Sequence, residues 1–436
     1  MTVATTPFEF SLPFATSSIP ISIIMIRAVR NLRPSCFRPL STQAKQRMVG
    51  VEAIAPTIGL SEDQSSFYEL ARQFADNEMK PYAQEWDAKS HFPLDVYKKL
   101  AELGFAGIFV NDDVGGSNLS RVDTTVIVEA LATGCVGTTA MLTIHNMCAG
   151  MVDKFGSQEH REQFLPGMCT MDIKASYCLT EPGSGSDASS LSTKAVFDEA
   201  TNEYVLNGGK AFISGAGMSD IYLVMARTGG PGPKGVSCLI VPKDAPGLSF
   251  GADEKKMGWK VQPTRQVIFE DCRIPSANLL GEEGSGFTMA MAGLDGGRLS
   301  IGACSLGAAQ ACFELALDYV KERKQFDKSI AENQAIQFKL ADMAGKLSCM
   351  RLQLRNAAML LDEGSPAANI HCALAKKIAT EYGSEVCNDA LQLHGGYGYL
   401  ADYQCERYVR DVRVHEILEG TNQIMRHIVG RALVSE

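Results

Sequence analysis

The sequence predicts an α+β protein in three consecutive parts: an N-terminal helical domain, a middle antiparallel β-barrel or sandwich, and a C-terminal helical bundle. Three observations carry this. Apolar residues recur at helical spacing over 55–175 and again over 285–436. Between them, over 176–284, the texture changes to short β-rich runs separated by turns. The chain of 436 residues is 45% hydrophobic, the composition of a soluble globular protein with an ample core.

Residues 1–50 read differently. Up to Arg47 the only acid is Glu9, whereas Arg27, Arg30, Arg33, Arg38, Lys45 and Arg47 are basic and Ser and Thr are frequent. This is the composition of an organelle transit peptide, and import into the mitochondrial matrix is the expected fate. A plastid address or a disordered tail is the alternative. A second such peptide begins at Met25, a candidate initiator. The apolar run over 19–26 is far too short to span a bilayer, no other segment reads as a span, and the chain ends without a peroxisomal tripeptide.

Ser61 is placed to cap a first helix with Phe67, Leu70 and Phe74 on one face. Helical patterns follow near Val96–Leu103, Asp123–Thr133 and Gly156–Phe164. Strands are expected around Tyr204–Leu206, Ala211–Ser214, Tyr222–Met225 and Cys238–Val241, with a turn at Asn207-Gly208-Gly209 and a loop over 229–235. In the last part, Leu306, Phe313, Leu317 and Val320 line one helix. Ile336, Leu340, Met343, Leu347, Met350, Leu354 and Leu361 form a bundle seam. Ile370, Leu374, Ile378, Val386, Ala390 and Leu393 form another stripe.

A net charge of −9 without a basic stripe argues against nucleic acid as the main partner. The 13 cysteines, an odd number with no C-x-x-C pair, read as reduced thiols rather than a disulfide framework or metal site.

Five stretches can carry chemistry. Tyr177-Cys178-Leu179-Thr180-Glu181-Pro182-Gly183-Ser184-Gly185-Ser186-Asp187 exposes backbone N–H groups and hydroxyls, suited to phosphate or a flat heterocycle, or else a plain polar turn. Phe212-Ile213-Ser214 offers an aromatic and a hydroxyl at alternate strand positions, for stacking on a ring or simply as an ordinary strand. Asp295-Gly296-Gly297-Arg298 opens a long helix that ends at Arg323-Lys324-Gln325-Phe326. Each arginine has a local alternative, Arg298 pairing Asp295 and Arg323 complementing the helix end. Gln392-Leu393-His394-Gly395-Gly396-Tyr397-Gly398 permits close approach of a bulky ligand. Finally, Glu419-Gly420-Thr421 places a carboxylate at a loop-to-helix junction, with Thr421 as cap.

The order and spacing of these strings resemble the acyl-CoA dehydrogenase family over essentially everything after residue 55. The resemblance implies a C-terminal four-helix bundle, a homotetramer and FAD between the β domain and the bundle. It gives residues Tyr177, Cys178, Leu179, Thr180, Glu181, Pro182, Gly183, Ser184, Gly185 and Ser186 to the flavin, with Ser186 also on the CoA. It sets Phe212, Ile213 and Ser214 against the ring system. Arg323, Asn333, Gln334, Gln392, Leu393, His394, Gly395 and Gly396 would hold the diphosphate and adenosine, partly across a subunit interface. Thr421, Asn422 and Gln423 would contact FAD, while Asp295, Gly296, Gly297, Arg298 and Arg431 would contact the acyl-CoA substrate.

Glu419 falls on the position of the family's base, which removes the α-proton of the thioester while the β-hydrogen leaves as hydride to the flavin. Some family members carry the base on the earlier helix, at the place of Gly297 here. Glu416 is the nearby rival. Glu129-Ala130-Leu131-Ala132-Thr133-Gly134-Cys135, His145-Asn146-Met147-Cys148-Ala149 and Arg227-Thr228-Gly229-Gly230-Pro231 resemble the branch acting on short branched acyl-CoA. Isobutyryl-CoA of valine breakdown is the expected substrate, with 2-methylbutyryl-CoA or butyryl-CoA as alternatives. Electron-transferring flavoprotein is the expected electron acceptor. A non-enzymatic assembly protein retaining the fold is the alternative from another class.

Overall fold

The computed structural model describes Glu52 and residues 54–435, so the leader and Met25 lie outside the described residues. The first part is helical: α1 (Glu62–Phe74), α2 (Ala83–Lys89), α3 (Leu94–Glu102), α4 (Arg121–Ala132), α5 (Val136–Phe155) and α6 (Gln158–Cys169). Ser61 caps α1 with a reciprocal bond to Gln64, as its position before the apolar stripe predicts. The sequence pattern misses α5. Its residues are buried on nearly every side, so no polar face marks a helical period. His145 and Asn146 lie on it and are spent on the backbone of neighbouring segments, His145 at Met168 O and Ala175 N, Asn146 at Ile108 N and Phe105 O.

The middle part is an eight-stranded sheet: β1 (Ala175–Cys178), β2 (Lys194–Asp198), β3 (Glu203–Ser214), β4 (Ile221–Arg227), β5 (Val236–Pro242), β6 (Leu248–Phe250), β7 (Thr264–Pro275) and β8 (Leu279–Leu280). Strand order is β6-β7-β3-β2-β4-β5-β8, with β1 against β4. Two expectations are corrected here. The sheet is mixed rather than purely antiparallel, because β1 and β2 both run parallel to β4. Asn207-Gly208-Gly209 does not end a strand. β3 runs through it with a register shift, and Gly208 takes φ +140° where a Cβ would lie 2.8 Å from Thr193 Cα. The sheet is buried on both faces: Leu223, Met225, Cys238 and Ile240 meet the helices, while Tyr222, Val224, Leu239 and Val241 form a second core with Tyr204 and Leu206.

The last part contains α7 (Gly286–Glu322), the short hairpin β9 (Lys324–Gln325) and β10 (Lys328–Ser329), α8 (Gln334–Asp362), α9 (Ala368–His394), α10 (Cys405–Val412) and α11 (Asn422–Val434). α7 is long and apolar enough to cross a membrane, but 89% of its apolar window is buried inside the fold, as in a core helix. It starts at Gly286, so Asp295–Arg298 lie in its interior and do not open it.

The α8 seam is as predicted, with Met343, Leu347, Met350 and Leu354 buried. The α9 stripe holds in its second half, where Val386 and Ala390 are buried, and is rotated in its first. Ile370, Leu374 and Ile378 are only half-buried, and the inner face there carries Ala375, Ala379, Gly383 and Lys376. Small residues win that face because α7 crosses closely: a Cβ on Gly383 would lie 3.0 Å from the backbone oxygen of Ser305.

The helical parts are locked by a buried ion pair. Arg351 of α8 donates to Glu129 of α4 at 2.6 Å and to Gln310 of α7 at 2.9 Å, with Glu129 2% and Arg351 7% exposed. Arg351→Met leaves a buried carboxylate without its cation. We expect a loss of about 3–5 kcal/mol in chemical denaturation, largely recovered when Glu129→Gln is added.

Candidate active site

Glu419 follows a 3-10 turn (Arg413–Glu416) and precedes α11. Its backbone is left-handed, φ +55°, and Gly420 continues at φ +86°. Thr421 then caps α11, accepting from Ile424 N at 3.2 Å. The two left-handed residues reverse the chain and aim the Glu419 side chain at α7. There Gly297 offers no side chain: a Cβ on it would lie 2.4 Å from Glu419 Oε2. Oε2 is sealed from solvent and has no hydrogen-bond partner among the described residues. Burial pushes the carboxyl up to about 7, against the opposing pull of Arg298 and then Lys376. The rival Glu416 instead lies 3.7 Å from Arg413 in an ion pair.

Arg298 pairs with Asp295 one turn earlier on α7, and Asp295 also accepts from Asn369 of α9 at 2.8 Å. The local pairing that the sequence offers is therefore made, while Arg298 Nε is left buried without a partner. Tyr177, at the β1 end of the Gly/Ser loop, has its hydroxyl in the same condition, its pKa driven well up by burial and then by Glu419. Three buried polar atoms without partners thus belong to residues around one carboxylate. Unmet polar groups of this kind are costly unless a ligand meets them.

Within the loop, Cys178, Leu179, Glu181 and Ser184 turn inward. Glu181 anchors the loop, accepting from Lys210 at 2.7 Å, Ser192 N at 2.6 Å and Thr193 N at 2.9 Å. Pro182, Gly183, Gly185 and Ser186 are exposed. On β3, Phe212 takes φ +59° at a register shift between Lys210 and Ile213, which breaks the simple alternation expected of Phe212 and Ser214. Phe212 is 68% exposed, Ile213 is buried, and Ser214 Oγ accepts from Gln262 at 3.2 Å.

A second group gathers at the far end of α7. A cavity of about 370 Å³ is lined by Tyr319, Arg323, Ile330, Leu393, His394, Gly395 and Gly396. His394 Nδ1 bonds Ala390 O at 2.8 Å, and its ring stacks on Tyr319 with centroids 4.4 Å apart. Asn333 stands at the start of α8 and donates to Ile330 O at 3.1 Å. Gln334 and Gln392 are exposed nearby in sequence to these lining residues. From Arg298 to Arg323 the helix rises about 37 Å at 1.5 Å per residue, so this cavity and Glu419 are not one site within one chain.

On α11, Gln423 and Arg431 are exposed, but Asn422 is buried and its amide is committed to α9. It donates to Thr380 Oγ1 at 3.0 Å and accepts from Lys376 Nζ at 2.8 Å. Lys376 is the residue that the sequence pattern misses. It sits beside Ala375 and Ala379, outside the Ile370, Leu374 and Ile378 stripe expected to face inward. A lysine on an otherwise small-residue stripe is the available signal.

Comparison with known proteins gives the family. Three family models match: Acyl-CoA dehydrogenase, N-terminal domain over 61–172, middle domain over 176–272 and C-terminal domain over 284–434. The chain is 56% identical over 386 residues to the mitochondrial isobutyryl-CoA dehydrogenase of Bos taurus, covering 88% of this chain and 92% of that one. It is 57% identical over 379 residues to the protein of the same name from Dictyostelium discoideum, covering 87% and 91%. Among solved structures, butyryl-CoA dehydrogenase from Megasphaera elsdenii superposes with a TM-score of 0.83 at 35% identity, covering 86% of this chain and 99% of that one. On these matches and on this arrangement of helices, sheet and bundle, the chain belongs to the acyl-CoA dehydrogenase family.

Proposed function

We propose that the chain is an FAD-dependent dehydrogenase of the mitochondrial matrix that introduces the α,β double bond of a short branched acyl-CoA, converting isobutyryl-CoA to methacrylyl-CoA. The observation that carries this reading is the Glu419 carboxylate, buried, without a partner and lodged where Gly297 leaves room. The relatives at 56–57% identity support the branched substrate and the mitochondrial address.

The residues present fit a flavin dinucleotide. The exposed Gly/Ser backbone over 182–186 offers N–H donors, Phe212 presents an open ring face, and the Arg323 cavity combines a cation, aromatic walls and paired glycines. When bound, FAD supplies the hydride acceptor. Because the Arg323 cavity lies about 37 Å along α7 from Arg298, beside Glu419, a single FAD would be shared by two copies of the chain, consistent with a homotetramer. Electrons would pass on to electron-transferring flavoprotein.

The chain's own part is proton removal and substrate orientation. The α-proton of a saturated thioester is very weakly acidic, so the base must be strong and dry. A carboxyl raised to about 7 is half ionised near working pH and is a better base than an exposed one. Substrate entry would expel remaining water and strengthen it further. Gly297 leaves room beside α7 for the Glu419 carboxylate, Gly296 packs against the Arg121 guanidinium, and Arg298 adds positive charge beside the site without an exposed side chain.

Purified protein tested with an acyl-CoA panel and a dye acceptor should prefer isobutyryl-CoA over 2-methylbutyryl-CoA by about 10-fold or more, the scale one methylene confers, and over its straight-chain isomer butyryl-CoA. A poor rate with isobutyryl-CoA would remove the substrate assignment and leave the reaction class standing. Glu419→Gln should retain flavin and lose substrate-driven flavin bleaching by about 10²–10⁴-fold. Bleaching at the normal rate would transfer the base elsewhere. Gly297→Ala should keep the fold and slow bleaching by about 10²-fold, because the added methyl displaces Oε2 by an ångström or so. Stopped-flow absorbance measures both variants.

A further inference from the structure

Lys376 is fully buried in the middle of α9 and reaches across to the loop that carries Glu419. Its ammonium donates to Gly420 O at 2.8 Å and to Asn422 Oδ1 at 2.8 Å. These are the carbonyl just after Glu419 and the first residue of α11, so one cation grips both sides of Thr421. The grip lies where it is needed. A non-glycine residue with φ +55° is strained and persists only where its surroundings hold it. Asn422 is itself fixed by Thr380 and, at 3.4 Å, by Glu381.

The charge is as telling as the bonds. Both acceptors of the ammonium are neutral oxygens, and Lys376 forms no ion pair among the described residues. A buried ammonium is costly without countercharge. The acids that face it are Glu419 first, then Glu416 and Glu381, with Arg298 opposing. Burial nevertheless brings Lys376 down to about 8. His415, which also faces it, is kept neutral, brought down to about 3 by burial and then by Lys376. Around Glu419 the two cations are Arg298 and Lys376, and Arg298 is already paired with Asp295.

Taking Glu419 as the base, we propose that Lys376 is a positioning residue for proton abstraction: it clamps the loop that aims Glu419, and its charge favours the ionised form of that carboxylate. Removing the cation raises the proton affinity of the carboxylate, so the fraction ready to accept a proton falls at neutral pH and recovers as pH rises.

The test follows flavin bleaching by isobutyryl-CoA across pH in FAD-loaded wild type, Lys376→Gln and Lys376→Arg, with flavin content measured in each. Wild type should show a midpoint at or above about 7, since substrate entry removes water from around the carboxyl. Lys376→Gln should move it up by about half a unit or more and slow bleaching at pH 7 about 10-fold, with partial recovery at higher pH. Lys376→Arg keeps the charge but not the two short bonds, so its midpoint should stay while its plateau falls. A Lys376→Gln midpoint equal to wild type overturns the proposal, because a purely structural loss lowers the plateau and leaves the midpoint alone. If Lys376→Gln does not hold flavin, Lys376→Met is read in the same way: an upward midpoint shift supports the proposal, and a midpoint equal to wild type overturns it. A silent Glu419→Gln beside an unshifted Lys376→Gln defeats only the role of Lys376, whereas normal bleaching in Glu419→Gln defeats the base assignment itself.

Discussion

A single methyl group at Gly297 would lie 2.4 Å from Glu419 Oε2, well inside contact distance. Much of the surrounding structure serves that one vacancy on α7. A carboxylate can enter it only from outside the helix, and it enters from the loop before α11. The loop must reverse sharply, so Glu419 and Gly420 both adopt left-handed backbone. Gly420 makes the second of these inexpensive, and a Cβ there would also crowd Met425 Cε at 2.6 Å. Thr421 then starts a new helix at once, which fixes the far side of the reversal. The strain at Glu419 is thus bracketed by a helix cap and by a buried lysine.

The vacancy has meaning only if α7 is held still, and α7 is held by close crossings. A Cβ on Gly307 would lie 2.2 Å from Glu129 O on α4, and one on Gly302 would lie 2.7 Å from Leu354 on α8. With Gly383 on α9, three neighbours approach α7 along glycine contacts. The same α4 residue, Glu129, holds Arg351 of α8, so backbone contact and ion pair reinforce one another at one crossing. Tight crossings leave little room for large side chains. That is why the inner face of α9 is made of alanine and glycine, and why an extended lysine can thread from it to the loop.

This packing also explains what the sequence could and could not show. The succession of helices, strands and bundle is legible because exposed faces leave a period, as on α1 and α8. It fails on α5, where burial all round erases the period, and on α9, where small residues rather than large ones mark the inner face. The turn expected at Asn207-Gly208-Gly209 is a bulge, since glycines serve a close backbone contact as readily as a chain reversal. Glu419 was legible through its neighbours: Gly420, Thr421 and the helix they introduce. Lys376 was not, because its partners lie 44 and 46 residues away. Sequence spacing carries no trace of a bond made across two helices.

The electrostatics of the site follow from the balance between burial and charge. Burial alone would drive the Glu419 carboxyl far up and leave it protonated, a strong base that is seldom available. A close ion pair would drive it down and leave it ionised, an available base with little proton affinity. Neither extreme suits the weakly acidic α-proton of a thioester. Here the two nearest cations act at reduced strength, Arg298 because Asp295 takes its charge and Lys376 because it stands behind the loop, bonded to neutral oxygens. Their pull partly offsets burial and leaves the carboxyl near 7. A cation set behind the backbone tunes the base without meeting it, which keeps Oε2 free to take the proton.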